Sequence, residues 1–266
     1  MKKRVVLRDW KLRQAGKGEL SRLMNGLDVT GGEWLDAENG LQVQEALLKA
    51  GGLPREMLVG KVQDCQWIAD VDWIYTCLFE RAAEDATHVD LHFGGIDTVA
   101  DVFLNGEHLA CHDDMYLPLT LDVTRRLRDQ NRLTVYFHSP NRVVRERLDA
   151  LKEPLRGHME NLSVIRKSTQ DFGDFGGVTL TTVGLFEDVC VTYLKSGSID
   201  EVDIGTRFNQ WRTTAEVEIT STGRAGARGL RMRAKLIGPD GVVAAETECG
   251  LEMEEGRYRT RQSLTV

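Results

Sequence analysis

Apolar and polar residues take turns along much of this chain. Trp73, Tyr75, Cys77 and Phe79 occupy every second position, as do Val89, Leu91 and Phe93, and later Leu133, Val135 and Phe137. Side chains two apart share one side of a strand, so each run predicts a strand with one apolar face, the pattern of an antiparallel sandwich. From Phe93 to Gly106 a strand leads into the pair Gly94-Gly95, which frees the backbone. A second strand follows and closes at Asn105-Gly106, the dipeptide suited to a type I′ hairpin turn. Asp129-Gln130-Asn131 is a further polar turn, and Leu180 to Tyr193 returns to strand character.

Two stretches follow a helical period instead. Val43, Leu47 and Ala50 share one face and stop at Gly51-Gly52 before Pro54. Asn141 is the expected cap of a second helix, with Val144, Leu148 and Leu151 on one face and Pro154 as its end. Past Lys195-Ser196-Gly197-Ser198 alternation resumes through Ala215, Val217 and Ile219. It continues through Leu230, Met232, Ala234 and Leu236, then a Pro239-Asp240-Gly241 turn into Val242-Val243. The expected architecture is all-β, with one sandwich over residues 1–195 and a second over 196–266.

The chain has 266 residues, 41% of them hydrophobic and 28% charged, which allows a sizeable core. A net charge of −7 argues against nucleic acid or an anionic membrane as the main partner. The start, Met1 to Leu7, begins like a signal peptide, but Arg8-Asp9 cuts the apolar run short. Five cysteines stand singly, without Cys-x-x-Cys spacing, so neither a disulfide framework nor a zinc site is expected and the cytoplasm is the expected compartment. His88 and His92, and His108 and His112, are four apart. On strands that spacing spans about 13 Å, too far for one ion. No metal and no cofactor is expected.

Several short pieces occur in a telling order: Trp67-Ile68, Asp72-Trp73-Ile74-Tyr75, Gly95-Ile96-Asp97-Thr98, Asn105-Gly106, Asp122-Val123-Thr124, Asn131-Arg132-Leu133 and Arg166-Lys167. Together they resemble the N-terminal sugar-binding jelly roll of glycoside hydrolase family 2, most closely its β-mannosidase-like branch. The resemblance implies a galactose-binding-like jelly-roll β-sandwich followed by an immunoglobulin-like β-sandwich. The latter is expected to be truncated, because about 70 residues follow Gly197 against about 100 for the full fold. Members hydrolyse glycosides with two carboxylates on a (β/α)₈ barrel of about 250 residues, for which this chain has no room. Its 41 Asp and Glu residues are therefore not expected to contain that pair, and the catalytic set is expected to be empty.

The resemblance also points to Phe172-Gly173-Asp174-Phe175-Gly176-Gly177, where β-mannosidases usually carry Phe-Gly-Trp-Asp-Trp-Gly-Pro. A carboxylate there accepts bonds from sugar hydroxyls while an aromatic ring covers the apolar face of the pyranose. Both tryptophans are absent here and the aspartate is shifted. Asp174 or Asp171, with Phe172 or Phe175, are the expected substrate-binding residues, and a glycine-rich bulge with core phenylalanines is the alternative. Asp-Phe-Gly occurs twice, at Asp171 and Asp174, without the other kinase motifs, and is incidental. Trp67 is singled out for packing against a barrel. The expected function is the non-catalytic N-terminal portion of a β-mannosidase-like hydrolase, whose partners are a glycoside and the protein's own barrel. The alternatives are a free-standing carbohydrate-binding module and a scaffold domain.

Overall fold

The computed structural model describes residues 2–38, 40–53, 62–83, 85–155, 160–172, 180–226, 228–254 and 256–266. Its fold class is all-β, with few helices. The chain divides into two compact units, one of Arg4–Glu84 with Val89–Thr192, the other of Met1–Lys3, Asp85–His88 and Tyr193–Val266.

In the first unit, β2 (Trp10–Gln14), β3 (Leu35–Ala37), β4 (Trp73–Glu80), β7 (Ala100–Leu104), β8 (Glu107–His112) and β10 (Gln130–Phe137) form one sheet in the order β3-β2-β4-β10-β7-β8. A second sheet, β1-β12-β5-β9, contains β1 (Lys2–Val6), β5 (His88–Phe93), β9 (Leu119–Asp122) and β12 (Val189–Leu194). Two short strands, β6 (Ile96–Asp97) and β11 (Gly184–Leu185), pair separately. The register sets Val135 opposite both Tyr75 and Val102, so the alternating residues of three strands meet on one buried face. Tyr75 packs edge-on against Phe137 with ring centroids 5.2 Å apart, and Val89, Leu91 and Phe93 are buried as well.

The opposite face of the six-stranded sheet is also covered, against the one-sided reading of the sequence. Ile74, Phe103 and Tyr136 pack there with Leu23 from α1 (Glu19–Met24) and with Val29, and Ala15, Leu20 and Trp34 close over them. This is why β7 is buried at all five positions and shows no alternation. Arg13 fastens the covering segment. Its guanidinium makes two 2.7 Å bonds to Glu19, donates to the Val29 carbonyl and lies 4.6 Å from the Trp34 ring centroid.

The Asn105-Gly106 turn forms with φ of 54° and 84°. Gly94-Gly95 serves close approach rather than backbone freedom. A Cβ on Gly95 would lie 2.4 Å from the Phe186 ring, and one on Gly94 would meet Glu187. The first predicted helix is α2 (Val43–Lys49), with Gln42 and Glu45 in a capping box. The second is α3 (Pro140–Asp149), but its cap is Ser139, not Asn141. The Ser139 hydroxyl accepts from the Arg142 N–H while Pro140 takes the first helical position, where no N–H is needed. Leu151 lies beyond the helix and is exposed, and Val143 rather than Leu148 joins Val144 in the core.

The second unit contains β13 (Gly197–Phe208), β14 (Ala215–Ala225), β15 (Arg231–Ile237), β16 (Val243–Gly250), β17 (Met253–Glu254) and β18 (Arg257–Thr265). They form a sheet β13-β14-β18-β17 and a pair β15-β16. Val217, Ser221, Tyr258, Thr260 and Leu264 are buried. The register places Val202, Ile204 and Phe208 on the same face as Val217, yet Ile204 is 61% and Phe208 65% exposed.

Candidate functional site

The segment singled out for sugar contact grows from a buried polar knot. Lys167 is fully buried. Its ammonium touches a carboxylate oxygen of Asp97, lies 2.6 Å from Oδ2 of Asp171 and donates to the Thr182 carbonyl at 2.7 Å. Asp97 is equally buried, and also accepts from Thr98, from Thr182 Oγ1 at 2.6 Å and from Gln42 Nε2 at 2.9 Å. Its peptide bond to Thr98 is cis. A lone charge could not persist here, and the three groups persist because each ion has an opposite partner and several hydrogen bonds.

Local chain geometry explains the convergence. β6 and β11 bring Asp97 opposite Gly184. The start of α2 docks beside them: Val43 N–H donates to the Val183 carbonyl, and Gln44 bonds both the Thr181 carbonyl and the Val183 N–H. A Cβ on Gly184 would lie 2.4 Å from the Tyr75 hydroxyl, so the strand passes at a distance only glycine allows. On the other side, Tyr116 Oη donates to the Lys167 carbonyl, and the Arg166 carbonyl accepts from the Met115 N–H.

Asp171 sits in the short helix α4 (Thr169–Phe172) and is buried, with its backbone carbonyl accepting from Thr181 Oγ1 at 2.7 Å. Burial pushes its carboxyl above the usual carboxylate range, and the attraction of Lys167 only partly offsets this. Its charge is already engaged inside the protein. Phe172 is half-buried at the end of α4. Asp174 and Phe175 lie outside the described residues, between the two anchored flanks that end at Phe172 and begin at residue 180. Asp97, Lys167 and Thr182 were not assigned a role from sequence, although Asp97 and Lys167 lay within the quoted motifs. The available signal was a charged residue embedded in each motif, with Asp171 four residues after Lys167 as a ready partner. Trp67 is partly exposed, its ring 5.8 Å from that of the buried Trp73.

The family model described as glycosyl hydrolase 2 galactose-binding domain-like matches residues 10–187. The chain belongs to this family. It is similar to β-mannosidase B of Emericella nidulans, 25% identical over 201 residues that cover 71% of this chain and 24% of the relative. It is also similar to the β-mannosidase of Bos taurus, 30% identical over 137 residues, 47% of this chain and 16% of that protein. The crystal structure of a β-D-mannosidase from Dictyoglomus thermophilum superposes over 99% of this chain and 31% of its own, with a TM-score of 0.80 at 22% identity, a likeness of fold. The chain spans about a quarter of the length of the curated relatives it matches over most of its own length. Within the glycosyl hydrolase 2 family it corresponds to the galactose-binding-like N-terminal part of β-mannosidase-like proteins.

Proposed function

We propose that this chain is the non-catalytic portion of a β-mannosidase-like glycoside hydrolase, with residues 1–195 and 196–266 as its two domains. Its task is to hold residues 173–179 at the rim of the active site of a (β/α)₈ barrel in the same protein. There Asp174 accepts hydrogen bonds from a terminal mannoside and Phe172 or Phe175 covers the ring. The observation that carries this reading is the Asp97–Lys167–Asp171 knot. It ties both flanks of a glycine-rich segment to one buried centre, as a positioned binding residue requires. The exposed Val202, Ile204 and Phe208 on the inner face of β13 fit an apolar surface that further chain covers. All five cysteines are free thiols, which favours the reducing cytoplasm as its compartment.

The test is Asp174→Ala in the complete gene product. We expect kcat/KM for an aryl β-mannoside to fall by about 1–3 kcal/mol of transition-state binding, with unchanged thermal stability. Unchanged kinetics at unchanged stability would reduce the segment to a scaffold.

A further inference from the structure

A second cluster lies on the covered side of the six-stranded sheet, at its β8 edge, and the mannosidase reading makes no use of it. Asp101 on β7 is buried, and its Oδ1 lies 2.8 Å from His108 Nε2 and 2.9 Å from Cys111 Sγ. The sulfur and the His108 nitrogen are 3.7 Å apart. Residues three apart on a regular strand point to opposite faces. Here the register shifts between Val102 and Phe103, so that Asp101 faces Cys111 while Phe103 faces His108, and Leu109 is the extra residue of a bulge. The bulge turns His108 and Cys111 to the same face. It also sends His112 to the other face, so the pairing of two histidines four apart is excluded by direction as well as by distance. Bulges that re-aim side chains in this way are frequent beside functional sites.

We propose that Asp101, His108 and Cys111 bind one zinc(II) ion at the β8 edge, through Oδ1, Nε2 and Sγ, with water in the fourth position. Tetrahedral zinc with Zn–N near 2.0–2.1 Å and Zn–S near 2.3 Å places nitrogen and sulfur about 3.5 Å apart, close to the separation present. The carboxylate oxygen must withdraw by about half an ångström from both, because at present it accepts their hydrogen bonds. His138 supplies the orienting contact. Its Nε2 is 2.7 Å from Oδ2, the oxygen not used for the ion, and its ring rests edge-on against Tyr136. His108 is likewise held by Phe103, with ring centroids 5.0 Å apart. His108 and Cys111 are exposed on an edge strand, which gives the ion a path from solvent. One thiolate and one carboxylate neutralise the ion, and binding releases the Cys111 proton to water. The hydrogen bond to Asp101 and burial raise that thiol to about 11, so zinc must displace a firmly held proton.

The test uses the 266-residue chain and cobalt(II) as a spectroscopic stand-in. One equivalent should produce a sulfur-to-cobalt charge-transfer band with tetrahedral d–d bands, and one equivalent of zinc should bleach both. Cys111→Ser and His108→Gln should abolish the band while near-ultraviolet circular dichroism stays native, and Cys249→Ser should leave it intact. His138→Gln should weaken zinc binding about 10–100-fold. Absence of the band in the wild-type chain, or its persistence in folded Cys111→Ser, would overturn the proposal.

Discussion

Replacing Lys167 by Met removes the cation that lies between two buried carboxylates. The side chains of Lys167 and Asp97 are fully buried and that of Asp171 is 6% exposed, so water cannot substitute for the ammonium. Asp97 keeps donors from Gln42 and Thr98. Among the described residues Asp171 keeps only the Thr182 hydroxyl, whose single proton also serves Asp97 at the shorter distance, 2.6 Å against 3.1 Å. Breaking a buried pair in this way costs about 3–5 kcal/mol, a large share of the roughly 5–15 kcal/mol that holds a domain folded. With a urea slope of about 2 kcal/mol/M, the unfolding midpoint should fall by about 1.5–2.5 M. Tryptophan fluorescence in a Trp211→Phe background reads this unit, because Trp10, Trp34, Trp67 and Trp73 all lie in it. The penalty should shrink as pH falls. Asp171, already raised by burial, takes up the proton that replaces the lost ammonium. Adding Asp171→Asn should recover part of the loss at neutral pH. A midpoint drop under about 0.5 M with an unchanged slope would refute the assignment of the knot as the anchor of this region.

Gly95→Ala should cost about 1–3 kcal/mol by forcing the Phe186 ring aside, checked by the melting temperature, and Phe186→Ala in the same chain should relieve the clash while leaving a cavity. Glu19→Gln should cost about 1.5–3 kcal/mol at neutral pH by breaking the bidentate pair with Arg13. The Arg13 hydrogen bonds hold the Glu19 carboxyl below its ordinary range. Its contribution is therefore full above the unfolded-state value and is lost as pH falls through the folded one, so wild type and variant should approach each other in acid unfolding curves as pH falls below the ordinary glutamate value of about 4.3.

The strands that line the main core were legible because period two is local and unambiguous: Trp73, Tyr75 and Cys77 fill the positions their spacing assigns. What sequence periodicity could not carry was the second layer. α1 and the residues around Val29 and Trp34 cover a face expected to be polar, and that cover leaves β7 buried throughout and hides its alternation. β1, β2 and β3 were unread for a related reason, since Trp10 and Leu12 give only one repeat before polar residues intervene. The Ser139 cap was overlooked because Asn141 follows Pro140, and a proline at the first helical position moves the cap one residue ahead of it. In the candidate site, Asp171 and Phe172 were named from a motif. The ions that fix them, Asp97 and Lys167, are 70 residues apart; β6 pairs Asp97 with β11, and Lys167 reaches it while bonded to the Thr182 carbonyl just ahead of β11. The metal-type cluster was invisible for a similar reason, because a bulge reverses the parity on which strand reasoning depends.

Under the proposed function, this chain shapes an active site whose chemistry lies elsewhere in the same protein. The most direct measurement compares the isolated 266-residue chain with the complete gene product on an aryl β-mannoside under identical conditions. Turnover by the complete protein and none by the isolated chain is expected. Turnover by the isolated chain that vanishes with a single carboxylate substitution would contradict it, and so would a complete protein with no glycosidase activity.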